Sequence, residues 1–140
     1  MISNEMNNVI FIRLFQDEDI NEQIKEACKL HDVKTAVVLS GIGQLKQVQL
    51  GYFKEKGDYT PETFNKPLEI LSLSGNICKQ KNDYIMHLHT VLGDKKKNTV
   101  GGHFIDGKIR ITGEIVLLKT SIEFYRKFEN KTGLKSLILK

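Results

Sequence analysis

The sequence lacks long apolar runs, and it contains few prolines. No hydrophobic stretch approaches the roughly 20 residues of a membrane-spanning helix, which excludes a helical membrane protein. The N-terminus carries an acidic residue and asparagines where a signal peptide carries lysines, so we expect a cytoplasmic location. Both prolines, Pro61 and Pro67, fall within the polar stretch 54–67. We predict that this stretch is a long exposed connection.

Cysteines are also scarce. The chain has only Cys28 and Cys78, which lie 50 residues apart and form no C-x-x-C motif. Both lie in apolar segments with regular periodicity. This placement favours buried free thiols over a disulfide in a reducing compartment.

Charge of one sign is not in large excess. The 21 lysines and arginines exceed the 17 acidic residues by a net charge of +4, and the only basic run is Lys95–Lys97. No Arg-Gly-Arg-Pro hook is present, which excludes insertion of such a hook into the minor groove of DNA. The charge therefore permits only non-specific, salt-sensitive contact with DNA. The length of 140 residues and the 40% apolar content predict one domain, 1–140.

One amphipathic helix is predicted after the first strand. Asp19 followed by Glu22 resembles a capping box. Four apolar residues recur at helical spacing on one face: Ile20, Ile24, Ala27 and Cys28. The helix should end near His31, to which we assign no functional role.

The other apolar segments predict β-strands. Alternating bulky residues indicate a first strand over 9–15, and β-branched runs indicate three more, over 35–43, 44–53 and 68–78. Two hairpin-like units follow over 83–105 and 100–118, the second turning at Asp106-Gly107. Residues 122–128 alternate as in a strand, with a helix as the alternative, before a turn and a short last segment. The sum is an α+β fold, a mostly antiparallel sheet with one main helix.

A glycine pair after the strand at 35–43 does not indicate a nucleotide site. Gly41 and Gly43 form a G-x-G, but the third glycine of the dinucleotide fingerprint is replaced by Lys46. The predicted helix also precedes this strand. A strand-ending turn is the better interpretation.

Three of the four histidines lie within residues 86–104. His87 and His89 alternate with apolar residues, so they share one face of a strand. A turn at Asp106-Gly107, together with a loop over 93–97, would place His103 on the same face and opposite His87. Three imidazoles at such distances can bind Zn²⁺ through bonds of about 2.0 Å. The alternative is that these histidines hydrogen-bond to neighbours or line a subunit contact.

The same register predicts which residues surround the metal. Gly101 and Gly102 would allow a ligand to approach the backbone closely, and Arg110 and Glu114 would share the polar face with His103. We therefore predict ligand contacts at these four residues. The H-x-H pattern also occurs in cupins, which place a glutamate metal ligand four or five residues after the second histidine. This chain has Gly93-Asp94 there, so the pattern does not indicate a cupin site.

Catalysis is less well supported by the sequence. Three histidines with an open coordination position could activate water, but a hydrolase also needs a positioned base and a pocket. Glu114 is the only acid near the polar face, and it can equally pair with Arg110. We predict no catalytic residue.

Three segments resemble the PPC domain, which is found in plants and prokaryotes and is also called DUF296. They are "AVVLSGIGQLKQVQLGYF", "LEILSLSGNI" and "HLHTVLGDKKKNTVGGHFIDGKIRITGEIVL". The resemblance extends over about residues 9–138. It implies an α+β domain that assembles as a homotrimer and, in some prokaryotic members, binds zinc at the positions of His87, His89 and His103.

The resemblance also bears on partners. In plant members, AT-hook segments bind DNA and precede the domain, which itself contacts other proteins through a Gly-Arg-Phe-Glu-Ile-Leu element. The matching stretch here, 66–71, retains only the last three of these residues. We therefore expect a homotrimeric binding or regulatory module, associated with DNA at most non-specifically. The alternative is a metal-dependent enzyme acting on a small ligand at a subunit interface.

Overall fold

Alternating apolar residues build most of the chain into antiparallel strands around one helix. The structure, a computed structural model, describes residues 1–140. The elements, in chain order, are β1 (Ile2–Met6), β2 (Val9–Leu14), α1 (Ile20–Leu30), β3 (Thr35–Glu55), β4 (Asp58–Phe64), β5 (Leu68–Gln80), β6 (Asp83–Gly93), β7 (Thr99–Thr120), β8 (Phe124–Glu129) and β9 (Leu134–Leu139). The predicted fold class, α+β with a mostly antiparallel sheet and one helix, is confirmed.

Two long strands organise the main sheet. The seven strands follow the order β1-β2-β7-β6-β5-β3-β4, and a further pairing of β7 with β3 closes a ring through β3, β5, β6 and β7. β7 has 22 residues and pairs with β2, β3 and β6 in turn. β8 and β9 pair only with each other and form a separate two-stranded sheet.

The helix forms as its sequence predicts. Asp19 caps α1, and its carboxylate accepts a hydrogen bond of 3.0 Å from the backbone N–H of Glu22. The four apolar residues of the predicted face are all buried, and His31 caps the C-terminus. No helix of the chain is long and apolar enough to cross a membrane.

The core lies between this helix and the inner face of the sheet. Cys28 and Cys78 are both buried and free, as predicted. On β6, Tyr84, Leu88 and Leu92 point into the core. The Tyr84 hydroxyl donates hydrogen bonds of 3.0 Å to two carbonyls at the end of α1. Because this face of β6 is filled by the core, the alternate residues, including His87 and His89, point away from it.

The predicted hairpin at Asp106-Gly107 is wrong. β7 continues through these residues, and Gly107 is buried opposite Val48 of β3. A Cβ at Gly107 would lie 2.9 Å from the ring of Phe104. The register between β7 and β3 shifts at Gln49, so the Asp-Gly pair accompanies a strand irregularity instead of a turn.

Other segments also differ from prediction. Residues 35–55 form the single strand β3, in which Gly43 has φ +141° and a Cβ would lie 2.2 Å from the Thr112 carbonyl oxygen. The polar stretch 54–67, predicted as a connection, contains the edge strand β4, which folds back through a tight turn at Lys56-Gly57. An edge position tolerates Pro61 because its missing N–H is not needed for pairing on the open side.

Candidate metal centre

Strands β6 and β7 bring the three histidines together. His89 pairs directly with His103, and His87 lies two residues beyond this last pair of the β6–β7 ladder. The predicted pairing of His87 with His103 is therefore wrong. The turn covers 94–98, one residue later than the predicted 93–97 and of the same length. The Asp94 carboxylate fixes it by accepting hydrogen bonds from backbone N–H groups within it. Since the register differs by two residues, the face is unchanged and the histidines still converge.

The three rings form a nearly equilateral triangle. Their centroids are separated by 5.1 Å (His87–His89), 5.2 Å (His87–His103) and 5.4 Å (His89–His103). One ring nitrogen from each lies within 4.8 Å of the others. The Nε2 atoms of His87 and His89 are 3.2 Å apart, close to the separation of about 3.3 Å for two nitrogens on a tetrahedral Zn²⁺. The cluster could bind a metal ion.

Burial favours the neutral, metal-binding form of two of these rings. Burial is the largest cause that lowers the pKa of His87, followed by the positive charge of Arg126. Burial also lowers the pKa of His103, with a smaller contribution from His89. Neutral imidazole is the form that ligates a metal, so the lowered pKa values of His87 and His103 favour metal binding.

Arg126 approaches the cluster from β8, and it fixes the proton on His87. Its Nη2 lies 3.3 Å from the Nδ1 of His87. A guanidinium only donates, so Nδ1 accepts and the ring proton is on Nε2, facing His89. A metal ion at Nε2 requires the other neutral tautomer, with the ring proton on Nδ1. Arg126 must then release Nδ1 and keep its other partner, the side-chain oxygen of Asn76.

The environment of Arg126 is unusual for a charged group. Its side chain is only 7% exposed, and its hydrogen-bond acceptors are the Asn76 amide oxygen, His87 and the Lys135 carbonyl. Its Nε is buried without a partner. No carboxylate pairs with it. The positive charge is therefore held among neutral groups.

A cavity of about 920 Å³ opens beside the three histidines. Arg126 and Lys135 contribute its basic groups, and no aspartate or glutamate lines it. Aromatic residues of the β3–β4 hairpin form one wall, and the Tyr59 ring meets His103 edge-on at 6.0 Å. Gly51 leaves room for Tyr59, because a Cβ at that position would lie 2.0 Å from the tyrosine oxygen.

The predicted ligand-contact residues fall into two groups. Gly101 and Gly102 line the cavity, but the groups that approach them closely are backbone oxygens of adjacent strands. Arg110 and Glu114 are not brought to the histidines, because β7 does not turn at Asp106-Gly107. Arg110 donates a 2.9 Å hydrogen bond to the Gln44 side chain. Glu114 pairs with β2 and β3, and it lines a separate cavity of about 340 Å³. Ligand binding at Gly101 and Gly102 stays a prediction.

Arg126 is the site residue that sequence reasoning missed. Phe124, Arg126 and Phe128 alternate in the sequence, so an arginine occupies the same strand face as two phenylalanines. An arginine on an apolar strand face usually has a hydrogen-bond or charge partner when it is buried, so the sequence could have indicated that Arg126 has such a partner. The identity of that partner, 39 residues earlier in the chain, follows only from the tertiary structure.

Comparison with known families identifies the domain. The sequence model of the Plants and Prokaryotes Conserved (PCC) domain matches residues 1–121. The chain belongs to the PCC domain family. This is the family called PPC above, so the resemblance is confirmed. The match ends before β8, and Arg126 lies outside it.

Solved structures share the whole fold of this PCC domain. A metal-containing protein from Archaeoglobus fulgidus is 27% identical with a TM-score of 0.84, covering 99% of each chain. A plant- and prokaryote-conserved protein from Pyrococcus horikoshii is 25% identical with a TM-score of 0.81, covering 96% of this chain and 93% of that one. A protein from Bacteroides thetaiotaomicron with a suggested DNA-binding role is 23% identical with a TM-score of 0.90, covering 98% and 96%. At that identity, its similarity shows the fold alone.

A curated relative contains a similar segment within a longer protein. The bifunctional protein GlmU from Synechococcus is 32% identical over 128 residues, which is 90% of this chain. The chain spans about a fifth of the length of that relative.

Proposed function

We propose that this PCC-domain chain is a homotrimeric binding module that holds Zn²⁺ at His87, His89 and His103. The observation that carries the proposal is the convergence of three imidazoles, with a 3.2 Å separation between two of their nitrogens. Three nitrogen ligands and an open fourth position are typical of zinc sites that bind a further ligand. The similar protein from Archaeoglobus fulgidus is described as metal-containing, which supports metal binding in general. Bound zinc would supply a Lewis-acidic position that faces the cavity.

Zinc binding is tested by elemental analysis of purified, untagged protein. We expect about one zinc per chain, and we expect His89→Ala to lower the affinity by at least about 100-fold. Removal of a group that only hydrogen-bonds to a metal ligand typically lowers metal affinity 10- to 100-fold, and loss of a ligand itself should cost at least as much. His31→Ala, which alters the remaining histidine outside the cluster, is the matched control and should retain the metal. Zinc absent from the wild type, or retained in His89→Ala, would contradict the proposal.

An exposed apolar sheet face supports the homotrimer. Phe11 lies opposite Val116, and Ile42 lies opposite Glu114, so these side chains occupy one face of the sheet. Phe11 is 64% and Ile42 is 49% exposed in the isolated chain. Exposed apolar side chains on one sheet face are typical of interaction surfaces, and a symmetric assembly of identical chains is one way to cover them.

Sedimentation equilibrium tests the homotrimer. It should give a mass of about 48 kDa, three times the 16.0 kDa of one chain. Phe11→Glu should shift the mass to that of the monomer.

Association with DNA is proposed only in its non-specific form. The chain has a net charge of +4, which permits such contact. Binding through phosphate contacts releases counterions, so affinity should fall steeply between about 50 and 200 mM salt. Fluorescence anisotropy with duplexes of unrelated sequence measures this dependence. A preference for one sequence, or binding that is insensitive to salt, would contradict it.

The open cavity favours a second candidate, a metal-dependent enzyme acting on a small ligand. A ligand in the cavity could reach the fourth position of the metal. However, no carboxylate lines the cavity, so the residues present offer no obvious general base beyond the histidines themselves. Turnover of a bound ligand by zinc-loaded protein, absent in His89→Ala, would favour the enzyme over the binding module.

A further inference from the structure

We propose that the cavity beside the histidines binds a small organic oxyanion, a carboxylate or phosphate attached to an apolar or ring-containing body, with Arg126 as its charge partner. This inference rests on the proposed metal site and names the class of ligand that the site accepts. The oxyanion lies within reach of the guanidinium in the cavity that Arg126 lines, and the body of the ligand lies against the aromatic wall.

The first support is the uncompensated charge of Arg126. Every hydrogen-bond partner of this nearly buried guanidinium is neutral, and its Nε has none. Removing a cation from water is costly unless an anion and further hydrogen bonds compensate for the loss. Nothing in the chain supplies that anion. Because Arg126 lines the cavity, an oxyanion bound there would supply the missing counter-charge.

The second support is the charge of the whole cavity. Lys135 adds a second positive group, and a divalent metal at the histidines would add two charges more. Because no acidic side chain lines the cavity, all of these charges have the same sign. Such a field attracts anions and disfavours cationic ligands.

The third support is the size and lining of the cavity. A volume of about 920 Å³ lies within the range of small-molecule sites and is too small for a folded partner. Tyr52, Phe53 and Tyr59 offer ring surfaces on one side, and Leu134 adds an apolar contact from β9. These walls provide apolar contact area that an inorganic anion would leave unused.

Contacts with β5 and β9 hold Arg126 in place before any ligand arrives. The Arg126 N–H donates to the Gln80 side chain at 3.2 Å, and its Nη1 donates to the Lys135 carbonyl at 3.3 Å. A side chain fixed in this way loses little further freedom when it binds an oxyanion.

The test uses zinc-loaded, full-length protein and isothermal titration calorimetry. The probes are phenylphosphate and benzoate, with benzyl alcohol as a neutral probe of similar shape. We expect at least one of the two anions to bind and the alcohol to bind at least about tenfold more weakly. Arg126→Gln should weaken anion binding by at least about tenfold, while Arg126→Lys, which keeps the charge, should lose less. Lys127→Gln, on the adjacent and exposed position of β8, is the matched control and should bind as the wild type does.

The zinc content of each variant separates the two proposals. Zinc bound at one per chain with no anion binding, or with equal anion binding by wild type and Arg126→Gln, would overturn the oxyanion site alone. A wild type without zinc would overturn the metal site and this inference together. If Arg126→Gln does not fold, the ratio of anion to alcohol affinity in the wild type decides. A ratio near one would overturn the proposal, and a ratio of ten or more would support it.

Discussion

The molecule contains two clusters that combine a histidine with a buried or half-buried cation, and they differ in one component. Near the helix C-terminus, His31 Nδ1 lies 3.3 Å from the Glu5 carboxylate, and Lys119 Nζ lies 2.9 Å from the same group. At the candidate metal centre, His87 lies beside Arg126 with no carboxylate present. The first cluster contains its own counter-charge, and the second does not.

This difference separates a structural cluster from a binding site. In the first cluster, the Ser3 hydroxyl hydrogen-bonds to the second ring nitrogen of His31, and the His31 carbonyl accepts a hydrogen bond from Lys119. Every polar group of this cluster therefore has a partner within the chain. In the second, three imidazoles face an open cavity and a guanidinium has an unpartnered nitrogen. A histidine cluster that the chain leaves incomplete is the better candidate for a ligand.

The largest effect on the candidate metal centre is expected from a substitution at Gly75, which lies on β5 beside His87. Gly75 has φ +151°, and a Cβ there would lie 2.0 Å from the His87 carbonyl oxygen. Gly75→Ala should therefore separate β5 from β6 beside His87 and lower the free energy of unfolding by about 3 kcal/mol. Urea denaturation measures the loss, and elemental analysis should find zinc binding weakened.

Gly57→Ala provides the matched control. Gly57 also has positive φ, +85°, but a Cβ there would meet nothing within 4 Å. Backbone strain alone should cost about 1 kcal/mol and leave zinc binding unchanged. Equal decreases in the free energy of unfolding of the two variants would show that the contact with His87 does not contribute to the cost of Gly75→Ala.

A smaller effect should appear in the pH dependence of the metal-free protein. Burial lowers the folded-state pKa of His87 and of His103 below the ordinary value of 6.5. The unfolded chain therefore takes up protons first on acidification, and the free energy of unfolding should decrease as the pH falls through about 6.5, until the folded-state pKa values are reached.

A double variant isolates this contribution from other groups. Burial and hydrogen bonding with Asp106 raise the pKa of Asp19 to about 6, which has the opposite effect and stabilises the fold as the pH falls below about 6. His87→Gln/His103→Gln retains Asp19, so its profile between about pH 7.5 and 5 should decline less than that of the wild type. Coinciding profiles from denaturation at each pH would refute the assignment.

The smallest effect is expected at the cluster that is already complete. Glu5→Gln removes the carboxylate shared by His31 and Lys119, both of which remain partly solvated. The free energy of unfolding should decrease by only about 0.5–1 kcal/mol, because partly exposed ion pairs contribute little. Zinc content should not change. A loss of zinc in this variant would mean that the two clusters are not independent.

Local signals in the sequence predict the helix and the histidine face well. The capping pair Asp19 and Glu22 marks the start of α1, because capping depends on residues three positions apart. The alternation of His87 and His89 with core residues fixes their face, and this holds even though the predicted register was wrong by two residues. Parity along a strand is a local property, and it survives such an error.

Signals that compete with distant pairing are predicted poorly. Asp106-Gly107 favours a tight turn locally, but the long ladder between β7 and β3 extends through it and keeps the strand continuous. The same ladder removes Arg110 and Glu114 from the site that their sequence positions indicated. The sequence also contains no local trace of the contact between Arg126 and His87, since it depends on how β8 is placed over β5 and β6.

The separation of β8–β9 from the main sheet has a consequence for divergence within the family. The histidines belong to strands whose pairing defines the fold, whereas Arg126 and Lys135 belong to a hairpin that pairs with no strand of that sheet. Substitutions in the hairpin can reverse or remove the charge beside the candidate metal centre without altering a single pairing in the seven-stranded sheet. Two chains with the same three histidines can therefore differ in the charge that their hairpins place beside the candidate metal centre.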